Sequence, residues 1–293
     1  MIRYYYYTIG IFLLFCFACN PDEPIPAYLQ VEPWQVNANG GTAWQKLPDV
    51  WVYANTEFLG AYDLPHTIPI LAEGATDIQL FPGVKENGIA STPAPYFIMK
   101  QWNQSVNLIP GDTTVIRPVT SYDLDAIKFA WEEERTNLDG PSPLLFDDLD
   151  TDAALNYRFT TDSAFAGRSL IMPVETAHPV MAISSEAIAL PNNGQQSVWL
   201  ELHHLHNVPF TLSLAGSGDN APDSTPLSVF QFNAGSNGVW NKIYFNLTPY
   251  IAQLKRSKYR LQFQAELPKD SAGKVTQSKG SVRLDNIRLL YFK

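Results

Sequence analysis

Only two cysteines occur in the 293 residues, Cys16 and Cys19, and both sit in an apolar stretch near the N-terminus. Beyond residue 19 the chain therefore has neither a disulfide framework nor cysteine-based metal sites. Its stability must come from hydrophobic cores, and the length suffices for two ordinary domains. Basic residues are also scarce, with 20 Lys and Arg against 29 Asp and Glu, a net charge of −9, and no basic run longer than Lys255-Arg256. That balance excludes the electrostatic footprint of a nucleic-acid-binding protein. The one long apolar run, Tyr4 to Ala18, has about 15 residues, whereas a membrane-spanning helix needs ~20. Gly-x-Ser-x-Gly, P-loop and His-Glu-x-x-His patterns are missing, and between Tyr28 and about Pro118 no long segment carries apolar residues at helical spacing. Nothing here marks an enzyme.

The N-terminus combines the basic Arg3, a short apolar run and the small Ala18, the pattern of an export signal over residues 1–18. Ala18-Cys19 resembles the lipobox of bacterial lipoproteins, in which the cysteine after a small residue is acylated and becomes the mature N-terminus. The resemblance implies that Cys16 leaves with the signal and that Cys19 carries acyl chains, palmitate among them. Each buried CH₂ of those chains contributes ~0.8 kcal/mol to membrane attachment. The segment 19–27 then reads as a short tether. Its Asp22 and Glu23 resemble the surface-export signal of Bacteroidota lipoproteins, which implies an outer-membrane protein exposed at the cell surface.

Residues 28–120 read as short strands. Val50 to Tyr53 and Glu57 to Gly60 flank the hairpin turn Ala54-Asn55-Thr56. Further strands are expected at Ile68 to Leu71, Asp77 to Phe81, Tyr96 to Trp102, Gln104 to Ile109 and Thr113 to Arg117. Asp49 to Gly88, with Gly60, Pro65, Glu73-Gly74 and Gly83, resembles a PEGA-type β-domain. The resemblance implies a small, Ig-like, non-catalytic β-domain. Residues 121–143 read as a linker, with an acidic run at Glu132 to Glu134 and Gly and Pro breakers at 139–143. Alternation from Ile127 to Trp131 points to a strand just before that run, or to a single helical turn.

From 144 to 293 the strands return at regular spacing. Tyr259 to Leu267 is apolar at odd positions and polar at even ones, a half-buried antiparallel strand. In Ser197 to His204 the same alternation turns Val198, Leu200 and Leu202 inward and Trp199, Glu201 and His203 outward. Leu247 to Leu254 is the one short helix expected, with Thr248 as N-cap and Pro249 in its first turn. The parity break at Asp285-Asn286 predicts a β-bulge in the last strand. About nine strands separated by Gly, Asn and Pro turns make a β-sandwich. Asn237 to Ile251, Lys258 to Leu267 and Gly280 to Phe292 resemble galactose-binding-like jelly rolls, the fold of many carbohydrate-binding modules. The fold class is thus all-β, a small PEGA-like domain followed by a jelly-roll sandwich.

That resemblance implies a structural Ca²⁺ held by Asp285 of the last strand with Asp147 and Asp148 near the first. Read as residues alone, Asp147, Asp148, Asp150 and Asp152 are a solvated loop or a calcium site of oxygen ligands. A glycosidase pair needs carboxylates facing each other at ~5–9 Å, which a chain-local cluster does not imply. His203, His204 and His206 invite zinc. Along a strand, however, only His204 and His206 share a face, and zinc needs three or four converging ligands. Outward Trp199, with Trp240 and Tyr244, forms either a sugar-stacking platform or a buried contact within or between domains. Two functions follow. The first is an accessory or scaffold subunit docked on another outer-membrane protein. The alternative is a surface lipoprotein that binds polysaccharide through the jelly roll.

Overall fold

In the computed structural model, residues 23–38, 41–132, 146–150, 152, 154–218, 222–235 and 238–293 are described. The protein is all-β, with one short helix among these residues. The first domain layers a five-stranded sheet over smaller ones. Asp49–Ala54 lies between Glu57–Asp63 and Gly74–Lys85, and Gly74–Lys85 pairs further with Pro93–Pro95 and Trp102–Leu108. Ala27–Val31 pairs antiparallel with His66–Ile70 and parallel with Thr113–Ile116. The expected hairpin is present, turning through Asn55 and Thr56 at φ 47° and 71°. Along Gly74–Lys85 burial alternates, so Thr76, Ile78 and Leu80 enter the core while Asp77, Gln79 and Phe81 face out. Instead of separate strands on either side of Asn103, one strand, Trp102–Leu108, runs through it. Tyr96 and Met99 are drawn out of any strand into a buried turn.

The sandwich consists of two six-stranded sheets. One runs Arg158–Thr160, Ser169–Glu175, Lys279–Phe292, Val198–His206 and Asn241–Asn246, with Ile127–Glu132 also on Lys279–Phe292. The other runs Phe146–Asp148, Val180–Ser185, Lys258–Glu266, Phe210–Ser217 and Leu227–Phe232, with Ile188–Ala189 also on Lys258–Glu266. Leu200, Leu202, Leu212, Leu214, Phe245, Leu261, Phe263 and Leu284 fill the space between them. Ile127–Glu132 corrects the bounds of the expected linker: this strand belongs to the sandwich, paired antiparallel with the last strand. The rest of that segment, from 133 onward, lies outside the described residues, as do the signal and Cys19.

The expected bulge is present. Asn286 adopts φ 47°, and the register against Val198–His206 slips between Glu201 and His203. The helix is Thr248–Leu254, with Leu247 rather than Thr248 at the N-cap and Pro in its first turn. Thr248 Oγ1 is instead engaged at 3.0 Å by the backbone N–H of Val198, which ties the helix to the neighbouring strand.

Candidate functional site

The two outer faces of the sandwich differ. On the first sheet, outward Trp199, Glu201, Tyr244, Arg288 and Leu290 are covered by the first domain. Trp199 and Tyr244 are 6% and 2% exposed, and Tyr96 packs edge-on to both at 5.1 Å. Trp199, Tyr244 and Leu290 thus belong to the first domain's core rather than to a free surface. Tyr244 receives the backbone N–H of Lys46 on its hydroxyl at 3.0 Å and donates to Gln45 Oε1 at 3.0 Å. Trp240 is set apart. It is partly exposed, donates Nε1–H to the Ser163 carbonyl and meets Phe165 edge-on at 5.9 Å. The three aromatics therefore do not form a sugar platform, because the surface expected to face solvent faces another domain.

A buried polar cluster holds this contact. Glu201 accepts from Tyr96 Oη at 2.5 Å and Tyr122 Oη at 2.8 Å, and pairs with Lys242 Nζ at 2.8 Å. Arg288 Nη1 donates to Tyr122 Oη at 2.9 Å. Burial pushes the Glu201 carboxyl up, but the Lys242 and Arg288 cations more than offset this and hold it below its ordinary range. Burial first, then the Glu201 charge, drives the Tyr96 and Tyr122 hydroxyls well up. The cluster is thus a carboxylate held ionised between cations and neutral phenols.

The predicted calcium ligands are not brought together. Asp285 lies on Lys279–Phe292 in one sheet, and Asp147 and Asp148 lie on Phe146–Asp148 in the other. Asp285 Oδ2 accepts from Phe165 N at 3.0 Å, Ala166 N at 3.1 Å and Ser169 Oγ at 2.6 Å, and its Oδ1 accepts from Asn286 N. Burial raises its carboxyl, and those four donors pull it partly back. A cation would compete with these donors, so this carboxylate's environment is already complete. Asp147 faces Arg260 at 3.5 Å, while Asp148 accepts from Asn156 and the Asp150 backbone. These residues do not fit one shared ion. His204 and His206 do share a face, with Nδ1 atoms 3.2 Å apart, packed against Phe210 and Phe232. His203 points the other way and stacks on Phe165 at 4.0 Å. Among the described residues no three His, Cys, Asp or Glu side chains converge as metal ligands.

The sandwich's second sheet has an open outer face. Because Lys258–Glu266 buries Tyr259, Leu261, Phe263 and Ala265, its even positions stand outward. Register then builds two cross-strand rows. Gln264 lies between Ala182 and Thr211, and Gln262 between Ser184 and Ser213. Of these, Ala182, Thr211, Ser213, Gln262 and Gln264 line a cleft of about 290 Å³ together with Leu149 and Phe263. The Gln262, Gln264, Thr211 and Ser213 side chains make no hydrogen bond to protein among the described residues. Arg260 stands outward at the next even position, paired with Asp147 and Asp223. The cleft thus offers unspent amide and hydroxyl donors and acceptors, with no net cation at its centre. Sequence reading missed it because polar residues at alternate positions look the same on any solvated strand. Only the pairing of 262 and 264 with 211 and 213 gathers them.

No protein-family model matches the chain, and no curated protein matches it. Solved structures similar to it include carbohydrate-binding-module-like β-sandwich domains and an adhesin domain. The K2 cleaved adhesin domain of Lys-gingipain is 13% identical, with a TM-score of 0.36 over 57% of this chain and 99% of that one. The carbohydrate-binding module TmCBM61, in complex with β-1,4-galactotriose, is 8% identical, with a TM-score of 0.30 over 50% of this chain and 88% of that one. A structure from work on promiscuous carbohydrate-binding modules of the β-sandwich superfamily is 13% identical, with a TM-score of 0.33 over 82% and 84%.

Proposed function

We propose that this protein is a non-catalytic glycan-binding protein of the bacterial envelope, lipid-anchored through Cys19, that holds neutral saccharide in the cleft of its second sandwich sheet. The observation that carries the reading is the set of unspent groups on that face: two amides and two hydroxyls in adjacent rows over a 290 Å³ cleft. Planar amides donate and accept side by side, which suits vicinal sugar hydroxyls. Ligand sites take such a form, a concave surface with a few placed polar groups. For the sandwich, the reading ranks above the scaffold role because its open face is polar, whereas docking on a protein favours an apolar patch. No bound Ca²⁺ forms part of it.

Affinity measurement against a panel of neutral polysaccharides tests the site. Gln262→Ala with Gln264→Ala is expected to weaken binding about tenfold or more, since each lost hydrogen bond is worth ~1 kcal/mol net. Both side chains point to solvent, so the fold should be unaffected. Undiminished binding by the double variant would remove the cleft from the argument.

The anchor is a separate expectation. Ala18-Cys19 closes the apolar run, and two or more acyl chains are needed for stable attachment. Cys19→Ala is expected to move the protein from the membrane to the soluble fraction and to abolish palmitate labelling. Retention of the variant in the membrane, with unacylated wild type, would overturn the anchor.

A further inference from the structure

The first domain presents a second face, of different chemistry. The sheet containing Asp49–Ala54 turns Val50 and Val52 into the core and leaves Trp51 and Tyr53 outward. Pairing sets Phe81 opposite Trp51 and Phe58 opposite Tyr53. The rings form a continuous row. Trp51 to Phe58 is 5.3 Å, Phe58 to Tyr53 is 5.0 Å, Tyr53 to Phe81 is 5.5 Å, and Phe81 to Phe97 is 5.5 Å. Even with these ring contacts, Phe58 and Phe97 remain 47% and 53% exposed. Beside the rings the same face becomes amide-rich, because Tyr53 pairs with Gln79 and Gln79 with Asn103. Neither amide hydrogen-bonds to protein among the described residues.

Charge narrows the occupant. Lys85 is the only cationic residue in the five strands of this sheet, and Asp49 at 2.7 Å and Asp63 at 2.8 Å already engage it. Asp77 faces out beyond Gln79. An anionic ligand would thus meet carboxylates and no spare cation. A purely apolar partner would bury Gln79 and Asn103 unpaired, at a cost. A neutral saccharide chain suits both halves. Aromatic faces pack against the C–H faces of pyranose rings, and the amides take the hydroxyls.

We infer that this aromatic and amide face is a second saccharide-binding surface, specific for neutral chains. The ligand class rests on the function proposed above; the location does not. The two faces belong to different domains, so one long polysaccharide bound at both would be held with a gain from effective concentration.

The test uses the whole protein in detergent, immobilised, with soluble galactomannan, xyloglucan, mixed-linkage β-glucan and polygalacturonate as probes. The variant is Phe58→Leu with Phe97→Leu, which keeps apolar area but removes the rings. Both sites are exposed, so an unchanged melting temperature verifies the fold. Binding of at least one neutral probe is expected to weaken about tenfold, as loss of two stacking rings implies, with polygalacturonate bound poorly throughout. Loss with the cleft pair Gln262→Ala and Gln264→Ala but not with the Leu pair would overturn this inference and leave the proposed function standing. Loss with the Leu pair alone would support the inference and overturn the cleft. Polygalacturonate bound as tightly as the neutral probes would overturn the charge argument and the inference with it. Failure of wild type to bind any neutral probe would overturn both. A concentration-dependent dimer dispersed by Phe58→Ala with Phe97→Ala would then assign the face to a second copy of the chain.

Discussion

Lowering the pH from 7 to 5 is expected to cost this protein about 4 kcal/mol of stability, through two histidines on one strand. Burial pushes His203 down to about 2, helped by the Lys242 and Arg288 charges. Burial likewise pushes His204 down to about 3, with His206 adding to it. His206 is lowered by burial too, against the pull of the Asn233 carbonyl. In the unfolded chain each imidazole titrates near ~6.5. Below that pH the unfolded state binds protons that the native state refuses, so stability falls as the pH falls. The loss begins near pH 6.5 and continues toward pH 3, at about 1.4 kcal/mol per pH unit for each neutral histidine. Asp49 and Asp285, both raised by burial, act in the opposite sense and soften the loss only at the acid end. Urea unfolding between pH 7 and pH 5 measures the slope, which should approach two protons taken up on unfolding. His204→Gln should reduce it by about one. A midpoint unchanged over that range would show that these imidazoles are open to water.

Much of the fold could be read from the chain, and the reason is periodicity. Tyr259 to Leu267 alternates without a break, and its burial alternates in the same way. The change of parity at Asp285-Asn286 was a local signal of a local event, and the bulge is there. The site was less legible because it depends on contacts between segments far apart in sequence. Trp199, Glu201 and His203 were correctly placed on the outward face of their strand. Nothing in Val198–His206 states that the first domain covers that face, since the covering residues Tyr96 and Tyr122 lie 105 and 79 residues away from Glu201. One trace was visible: a strand carrying Trp, Glu and His outward, opposite Tyr244 and Arg288, is richer in large side chains than water requires. The linker was misjudged for a related reason. Ile127 to Trp131 alternates as a strand, but its partner is the far end of the chain, Arg288 to Phe292.

The covered face is expected to couple the two domains in unfolding, with Glu201 as the residue on which this depends. Its carboxylate is fully buried, beside Lys242 and Arg288, which are 6% and 1% exposed. Two tyrosines from the first domain donate to it, while both cations come from the sandwich. Removing one partner of such a cluster typically costs 3–5 kcal/mol, about what a buried charge costs when its counter-charge is lost. Glu201→Ala is therefore expected to destabilise by roughly that amount and to strand Tyr96 and Tyr122 without their acceptor. The loss is expected to fall mainly on the contact between domains, because the sandwich keeps its own apolar core and most of the first domain's core, Trp199, Tyr244 and Leu290 apart, comes from that domain itself. Wild type should thus melt in one calorimetric transition and Glu201→Ala in two. Adding Lys242→Met to Glu201→Ala should restore part of the stability, since the second change removes the buried cation that the first left without its carboxylate. If Glu201→Ala still melted in one transition and lost under ~1 kcal/mol, the cluster would be no more than a surface-grade ion pair. If Lys242→Met brought no recovery, the cost would have to be sought in packing against Tyr96 instead of in charge.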